Sequence, residues 1–250
     1  MNYEYPENFA RFYDTIYHQM RDGVDNDFFL NYVKNTKGNV LEIGVGTGRF
    51  FTDSLNSGAD IYGIDISASM LEVLKSKLDV SQRYRVDRQN IVDFNFKFGF
   101  DLIIAPFRVL MHVLDKDGQL KALNNVYKHL NAGGMFIFDV FIPDLKPLIS
   151  GLDNVTDFEG EYEQGKKIKR TVSTKPDLLN QIINVYFNLE WEEDDMIKTD
   201  NWHLPLRYYF RYELEHLVER SEFKTYKILG DYQGNPLNQS SKEFIVVCNK

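Results

Sequence analysis

The sequence predicts an α/β fold built on a doubly wound, mostly parallel sheet. Between positions 39 and 142, short apolar strands alternate with helical segments of about 10–15 residues, which is typical of consecutive βαβ units. A glycine-rich turn follows the first of these strands, and a carboxylate ends the second. After Pro143 the pattern changes: apolar and polar residues alternate over 183–191, and this predicts an antiparallel insert with one buried and one solvated face.

Two helices are expected before the sheet. Phe9, Phe12 and Ile16 recur at helical spacing, and apolar residues repeat this pattern over positions 28–33. Each helix therefore has one apolar face to bury, and both are expected to pack against the rest of the chain.

Seven strands are expected in the main sheet. They are predicted at 39–44, 59–66, 83–87, 100–105, 135–141, 224–229 and 243–247. A helix is expected over 67–78, with Ser69 and Glu72 spaced as a capping box. The apolar face of another helix runs from 120 to 130, and Gly133-Gly134 is expected to cap its C-terminus. The antiparallel insert is expected to contain strands at 168–174, 183–191 and 196–206.

The composition is that of an acidic globular protein. The chain has 250 residues, and 29 Lys+Arg against 37 Asp+Glu give a formal net charge of −8. This charge repels phosphate backbones, so nucleic acid is not an expected partner. The one cysteine, Cys248, cannot form an intrachain disulfide, and no metal site is expected. Since the sequence shows neither a secretory signal nor an apolar run of about 18 residues, we expect a soluble, cytoplasmic protein with no membrane partner.

The run Leu-Glu-Ile-Gly-Val-Gly-Thr-Gly at 41–48 is the most informative segment. Glycine is needed where the backbone takes a positive φ or where a ligand approaches closely. Asp65, which lies 21 residues after Gly44, ends the second strand, where a carboxylate can accept both hydroxyls of a ribose. A dinucleotide fingerprint requires a third glycine at position 49, but that residue is Arg49.

This spacing, preceded by Glu42, resembles motif I of the class I S-adenosylmethionine-dependent methyltransferases. The resemblance continues through 84–91, 100–104 and 130–139. Residues 230–237 and the final strand are similar to the end of a bacterial small-molecule branch that carries an antiparallel insert, as amino-sugar N-methyltransferases do.

The resemblance implies a fold, a cofactor and a division of the chain. The fold is a Rossmann-like, seven-stranded sheet with an antiparallel β insert and an N-terminal helical lid. The cofactor is S-adenosyl-L-methionine, and the product is S-adenosyl-L-homocysteine. One methyltransferase domain spans 1–250, with the lid at 1–36, the cofactor-binding core at 37–150, the insert at 155–206 and the C-terminal helix and strands at 207–250.

The resemblance also implies the cofactor site. The methionine end is expected at Glu42, Gly44, Gly46 and Gly48, and the ribose at Asp65. The adenine is expected near Ile66, Met70, Gln89, Asn90 and Ile91, and Ala105 is expected beside the cofactor at the end of the fourth strand.

Two residues are candidates for catalysis. His112 follows the fourth strand, and an imidazole with a pKa near 6.5 suits proton removal at neutral pH. Tyr13 belongs to an aromatic-Tyr-Asp segment similar to the one that opens this branch and covers the cofactor. The expected substrate-binding residues are Tyr17, Phe107, Arg108, Trp202, His203 and Arg207.

The predicted function is transfer of a methyl group to a nitrogen or oxygen of a small molecule by a monomer or homodimer. The loop at 105–108, Ala-Pro-Phe-Arg, lacks the Asn- or Asp-Pro-Pro-aromatic run of nucleic-acid base methyltransferases and the paired glutamates of protein arginine methyltransferases. Two alternatives remain: a non-catalytic module that binds S-adenosylmethionine or a nucleoside, and a nicotinamide-dependent oxidoreductase, which the missing third glycine disfavours.

Overall fold

A computed structural model describes residues 4–20 and 23–250 of the chain. Within them, the central sheet has seven strands in the order β10-β11-β5-β4-β1-β2-β3. β11 is antiparallel to β5 and β10, whereas the other neighbours are parallel. The strands are β1 (Val40–Ile43), β2 (Ile61–Asp65), β3 (Val86–Arg88), β4 (Phe100–Ala105), β5 (Leu130–Phe141), β10 (Thr225–Leu229) and β11 (Glu243–Asn249). The predicted α/β architecture is confirmed.

Helices cover both faces of this sheet. They are α2 (Val24–Asn35), α3 (Phe51–Asn56), α4 (Ala68–Lys77), α5 (Lys116–His129), α6 (Leu145–Ser150) and α7 (Arg211–Arg220). All four residues of β1 are buried, as expected for a parallel strand between two helical layers. One apolar cluster contains Phe29 and Val33 of α2, and the cluster on the other face contains Leu123 and Val126 of α5.

Three local predictions were wrong. The third strand begins at Val86, because residues 80–85 form a 3₁₀ helix. The N-cap of α4 is Ser67, whose hydroxyl accepts a hydrogen bond from the Met70 amide at 3.3 Å, and not Ser69. The predicted glycine cap of α5 lies inside β5, since α5 ends at His129 and β5 begins at the next residue.

The insert is a separate antiparallel sheet. Its described strands pair in the order β6-β7-β8-β9. They are β6 (Leu152–Glu163), β7 (Lys166–Asp177), β8 (Ile182–Glu193) and β9 (Met196–Arg207). β6 was not predicted, because most of its residues are exposed and it has no alternating apolar pattern. The insert therefore begins three residues before the predicted position 155.

The first helix, α1 (Glu7–Met20), buries its apolar face on the insert and also contacts α4 beside the central sheet. Its Phe9, Phe12 and Ile16 are buried in one cluster with Leu189 and Trp191 of β8. In contrast, α2 packs against the central sheet. The two helices that the sequence grouped as one lid are thus attached to different layers. No helix in the described part of the chain is both long and apolar enough to cross a membrane.

Candidate functional site

A cavity of about 680 Å³ lies at the edge of the central sheet where the parallel strands end. This is the edge at which open α/β sheets bind their ligands. Its volume falls within the range of small-molecule sites. The predicted residues that line it are Tyr13, Gly44, Gly46, Asp65, Ile66, Met70, Gln89, Asn90, Ile91, Phe107 and His112.

The glycine turn forms one wall of the cavity. Gly44 has a φ of 73° and Gly46 a φ of 55°, both in the left-handed region that favours glycine. A Cβ on Gly44 would overlap the side chain of Val109, whereas a Cβ on Gly46 would have only the Gly44 carbonyl oxygen nearby, at 3.9 Å. The backbone at Gly46 is therefore open to a ligand. Gly48 does not line the cavity, and a Cβ there would overlap Leu74 of α4.

Glu42 carries an unsatisfied acceptor beneath this turn. Its side chain is buried, and its Oε2 atom has no hydrogen-bond partner among the described residues. Burial raises the pKa of Glu42 well above its usual value, although the nearby cation of Arg49 partly opposes the effect. A buried carboxylate of this kind is costly unless a donor reaches it. The ammonium group of the methionine portion of S-adenosylmethionine would supply such a donor.

Asp65 is fixed at the end of β2 by two backbone donors. Its Oδ2 accepts a hydrogen bond from the Gly46 amide at 2.8 Å, and its Oδ1 accepts one from the Ser67 amide at 2.8 Å. Burial raises the pKa of Asp65, and these backbone bonds oppose the rise. Each carboxylate oxygen has a second lone pair, so the side chain can still accept both hydroxyls of a ribose.

The residues predicted to hold the adenine lie beyond β3. Asn90 lines the cavity, but its side-chain oxygen already accepts a hydrogen bond from the Val92 amide at 3.2 Å. Gln89 donates to Asp87 and accepts from the amide of Asn95. These side chains are therefore held in fixed positions by the loop itself, and the prediction that Asn90 binds adenine stays a prediction.

Helix α1 forms part of the wall of the cavity. Tyr13 lines it, and the neighbouring Asp14 ties α1 to the core. Asp14 accepts hydrogen bonds from the Thr47 hydroxyl at 2.6 Å and from the Lys77 ammonium at 2.5 Å. Lys77 also donates to the Thr47 carbonyl at 2.8 Å. The glycine turn, α4 and α1 thus meet at one polar contact.

The loop after β4 directs Phe107 into the cavity. Phe107 and Arg108 have φ values of 64° and 67°, a conformation that costs non-glycine residues energy and is concentrated at functional sites. The Phe107 ring makes edge contacts with Tyr17 and Tyr13, with centroid separations of 5.4 and 6.5 Å. The Arg49 guanidinium lies 5.5 Å from its centroid. Ala105 is buried inside β4 and does not reach the cavity.

His112 lines the cavity from a short 3₁₀ helix, Val109–His112. Burial lowers the pKa of His112 from 6.5 to about 4. The imidazole is therefore neutral at physiological pH and has a free lone pair on one nitrogen. Its low pKa makes it a weaker base than the sequence suggested.

A second cavity, of about 570 Å³, lies further along the same sheet edge. Asp25, Tyr232 and Glu243 are among the residues that line it. Arg108 connects this region to the first cavity, because its guanidinium donates to Glu243 at 2.9 Å. Arg49 makes a similar connection through its ion pair with Asp25, at 2.6 Å.

The remaining predicted substrate residues do not line the first cavity. Trp202 packs on Tyr5, with the ring centroids 4.2 Å apart. His203 is exposed and stacks on Tyr186. Arg207 is paired with Glu213 at 2.5 Å. The structure therefore gives no support to a substrate contact by His203 or Arg207.

Sequence reasoning missed about half of the residues around the cavity. Several are apolar positions on strand ends or on the loop after β4, which look like ordinary core residues in the sequence. Others belong to the start of α5, where Asp115 is the helix N-cap and accepts a hydrogen bond from the Gly118 amide. The missed residues are Tyr5, Ile43, Ile64, Val92, Asp93, Pro106, Val109, Val113, Leu114, Asp115, Gly118 and Lys121.

Comparisons with known proteins agree with this geometry. The family model described as "Methyltransferase domain" matches residues 41–136, which include the glycine turn and Asp65. An uncharacterized methyltransferase of Bacillus cereus is 30% identical over 135 residues. The match covers 54% of this chain and 56% of the relative, so the chain spans about half the length of that relative.

Solved structures match over nearly the whole chain. An S-adenosylmethionine-dependent methyltransferase from Clostridium acetobutylicum has a TM-score of 0.77 at 20% identity, with 97% of each chain covered. The sugar N-methyltransferase KedS8 from Streptoalloteichus has a TM-score of 0.75 at 14% identity, with 100% of this chain and 95% of that chain covered. At such identities the likeness shows the fold, which is that of the class I methyltransferases.

Proposed function

We propose that this chain, whose residues 41–136 form a methyltransferase domain on a class I methyltransferase fold, transfers a methyl group from S-adenosylmethionine to a nitrogen or oxygen of a small molecule. The observation that carries the proposal is the cavity at the sheet edge. One wall offers an open glycine backbone and the fixed carboxylate of Asp65. Glu42, whose buried Oε2 has no partner among the described residues, does not line the cavity but directly precedes two wall residues, Ile43 and Gly44.

These residues fit the cofactor at both of its polar ends. Glu42 holds the ammonium group of the methionine portion, and Asp65 accepts the ribose hydroxyls. The sulfonium, when bound, supplies an activated methyl group, so the protein contributes positioning and exclusion of water rather than covalent chemistry. Tyr13 and Phe107 serve that purpose, because their rings close the cavity between α1 and the loop after β4.

The acceptor is a small polar molecule that approaches from the second cavity. The walls of that cavity are largely polar and include Asp231, Ser241 and Glu243. Arg49 pairs with Asp25 and Arg108 pairs with Glu243, so both arginines contact residues that line the second cavity. The solved sugar N-methyltransferase of the same fold supports a small-molecule acceptor of this kind.

The proton released from the acceptor is taken up by His112 or by solvent. His112 is neutral at physiological pH and faces the first cavity, so it is able to accept a proton. Its low pKa limits the driving force for proton transfer to the imidazole. An amine acceptor that binds in its neutral form needs no base when it attacks the methyl group. The identity of the acceptor therefore decides how much His112 contributes.

Calorimetric titration followed by an activity assay tests the proposal. The purified chain is titrated with S-adenosylmethionine, S-adenosylhomocysteine and NAD, and formation of S-adenosylhomocysteine is then measured with a panel of small amines and hydroxylated compounds. The proposal requires binding of S-adenosylmethionine and turnover with at least one acceptor class. Binding without any turnover would favour the non-catalytic module, and binding of NAD alone would favour the oxidoreductase.

A further inference from the structure

The contacts between α1 and the insert sheet are apolar and extensive. Phe9, Phe12 and Ile16 are each at most 3% exposed, and they pack against buried residues of three insert strands. Phe12 contacts Trp191 with centroids 5.5 Å apart, and Phe9 contacts Trp202 at 5.4 Å. Separating α1 from the insert would expose all of these side chains to water, which is strongly unfavourable.

The contacts between α1 and the cofactor-binding core include the ring contacts of Tyr13 and Tyr17 with Phe107, and also several polar contacts that are partly exposed. Asp14 meets Thr47 and Lys77 there. Just before α1, the Tyr5 carbonyl accepts a hydrogen bond from the Ser69 hydroxyl, and Glu4 accepts one from the Ala68 amide. Solvent-exposed polar contacts contribute little, because water replaces them readily. The apolar contacts with the insert therefore hold α1 more firmly than these polar contacts do.

One buried arginine joins α1 to the insert. Arg170 of β7 is 4% exposed and forms a two-point contact with Asp157, through Nε at 3.0 Å and an η-nitrogen at 2.8 Å. Its other η-nitrogen donates to the hydroxyl of Tyr17 on α1 at 3.3 Å. The guanidinium also lies over the Tyr17 ring, 5.1 Å from its centroid. Arg170 thus contacts Tyr17 through both the hydroxyl and the ring.

Tyr17 in turn connects Arg170 to the cofactor cavity. Its ring contacts Phe107 at 5.4 Å and Tyr13 at 4.4 Å, and both of these residues line the cavity. A continuous series of contacts therefore runs from Asp157 and Arg170 in the insert, through Tyr17, to the aromatic wall of the site. Arg170 itself does not line the cavity.

We propose that Arg170 is a positioning residue for the cofactor: it fixes Tyr17 on the insert sheet, so that α1 and the insert close over the cavity as one body. The proposal rests on the proposed function in that the ligand is S-adenosylmethionine. The insert then has a role in cofactor retention.

Substitution of Arg170 tests the link. Arg170→Met is expected to raise the dissociation constant for S-adenosylmethionine roughly tenfold, as for loss of one charged hydrogen bond. Lys169→Met removes the same charge from the neighbouring, partly exposed position of β7 and should leave the affinity within about twofold. Arg170→Lys keeps the charge but not the planar fork, so it should recover only part of the affinity.

A double-mutant cycle separates positioning from general destabilisation. Tyr17→Phe removes one hydroxyl and is expected to weaken binding about threefold. If Arg170 acts through Tyr17, Arg170→Met should cost less affinity in the Tyr17→Phe background than in the wild type. Equal losses in both backgrounds, or wild-type affinity in Arg170→Met, would overturn the proposal. Tyr17→Phe keeps the ring packing intact, so its effect on S-adenosylmethionine affinity can be measured even if Arg170→Met folds poorly.

Intrinsic fluorescence tests the single-body closure independently of affinity. The chain has two tryptophans, Trp191 and Trp202, and both lie on the insert against α1. If α1 stays on the insert, their emission should be blue-shifted with and without S-adenosylmethionine. A red-shifted emission that the cofactor reverses would show that α1 detaches, and would overturn the proposal. Failure of the wild type to bind S-adenosylmethionine would instead count against the proposed function.

Discussion

Replacement of Asp139 by asparagine is expected to stabilise the protein at neutral pH. Asp139 lies fully buried on β5, where its Oδ2 accepts a hydrogen bond from the Tyr232 hydroxyl at 3.0 Å. Its Oδ1 accepts a longer bond, of 3.4 Å, from the Arg108 amide. An asparagine can keep both bonds, because its amide oxygen accepts from Arg108 and its amide nitrogen donates to the Tyr232 oxygen. The substitution therefore removes the charge and little else.

The size of the effect follows from the pKa of Asp139. Burial, and then the nearby Glu243 carboxylate, raise this pKa from 3.8 to about 6, against the opposing cation of Arg108. Because the folded state holds its proton more tightly than the unfolded state, Asp139 costs stability as the pH rises from 3.8 to 6, and the full cost remains above pH 6. A shift of about two pKa units corresponds to about 3 kcal/mol, of which about half is present at pH 5.

Urea unfolding at several pH values measures this cost. The free energy of unfolding of Asp139→Asn should exceed that of the wild type by up to about 3 kcal/mol at pH 7.5, and by about half as much at pH 5. The exposed Asp153→Asn serves as the control and should change stability by less than about 0.5 kcal/mol. A variant less stable than the wild type at pH 7.5, or a difference independent of pH, would refute the reasoning.

Three further predictions concern the cofactor cavity. Asp14→Asn weakens the contact of α1 with Lys77, so calorimetry should show a roughly two- to fivefold loss of S-adenosylmethionine affinity, whereas a wild-type value would mean that α1 closes without this contact. Glu42→Gln should lower the affinity for S-adenosylmethionine at neutral pH. In the wild type this affinity should decline in acid as the Glu42 carboxylate, whose pKa is raised, becomes protonated, and Glu42→Gln should abolish that decline. A variant with the same pH profile as the wild type would contradict this role. For a hydroxyl acceptor, His112→Ala should lower kcat by about 10²-fold, the lower end of the usual effect of a general base, because its low pKa makes it a weak base. For an amine acceptor the loss should be smaller and should shrink at high pH, and cofactor affinity should stay intact; a near-normal kcat at pH 7 with a hydroxyl acceptor would show that His112 is not the base.

Sequence patterns predicted the central sheet well because burial on both faces leaves a strong apolar signal. β4 is an example, with five of its six residues buried. β6 was missed for the opposite reason: most of its residues are exposed, and only its pairing with β7 makes it a strand. The partner of α1 was also beyond prediction, since helical spacing shows that Phe12 is buried but not against which layer.

For the candidate site, the sequence was most informative at positions where the backbone conformation, or the place at a strand end, limits which residue can serve. Gly44, Gly46 and the strand-end Asp65 line the cavity, and their contacts with the cofactor stay predictions. The sequence was less informative about residues that were chosen for their side-chain chemistry alone. Arg207 was expected to bind the substrate, yet its guanidinium is already paired with Glu213. Such pairings depend on tertiary contacts that a single sequence does not encode in any local pattern.

Titration with S-adenosylmethionine of the wild type, of Asp65→Ala and of Asp60→Ala tests the central claim most directly. Asp60 precedes the same strand but pairs with Arg85 on the surface, so it is the matched control. The wild type and Asp60→Ala should bind S-adenosylmethionine and not NAD, and Asp65→Ala should bind roughly 10- to 100-fold more weakly, as expected for loss of charged hydrogen bonds to the ribose. A wild type that binds only NAD, or an Asp65→Ala variant with unchanged affinity, would contradict the account.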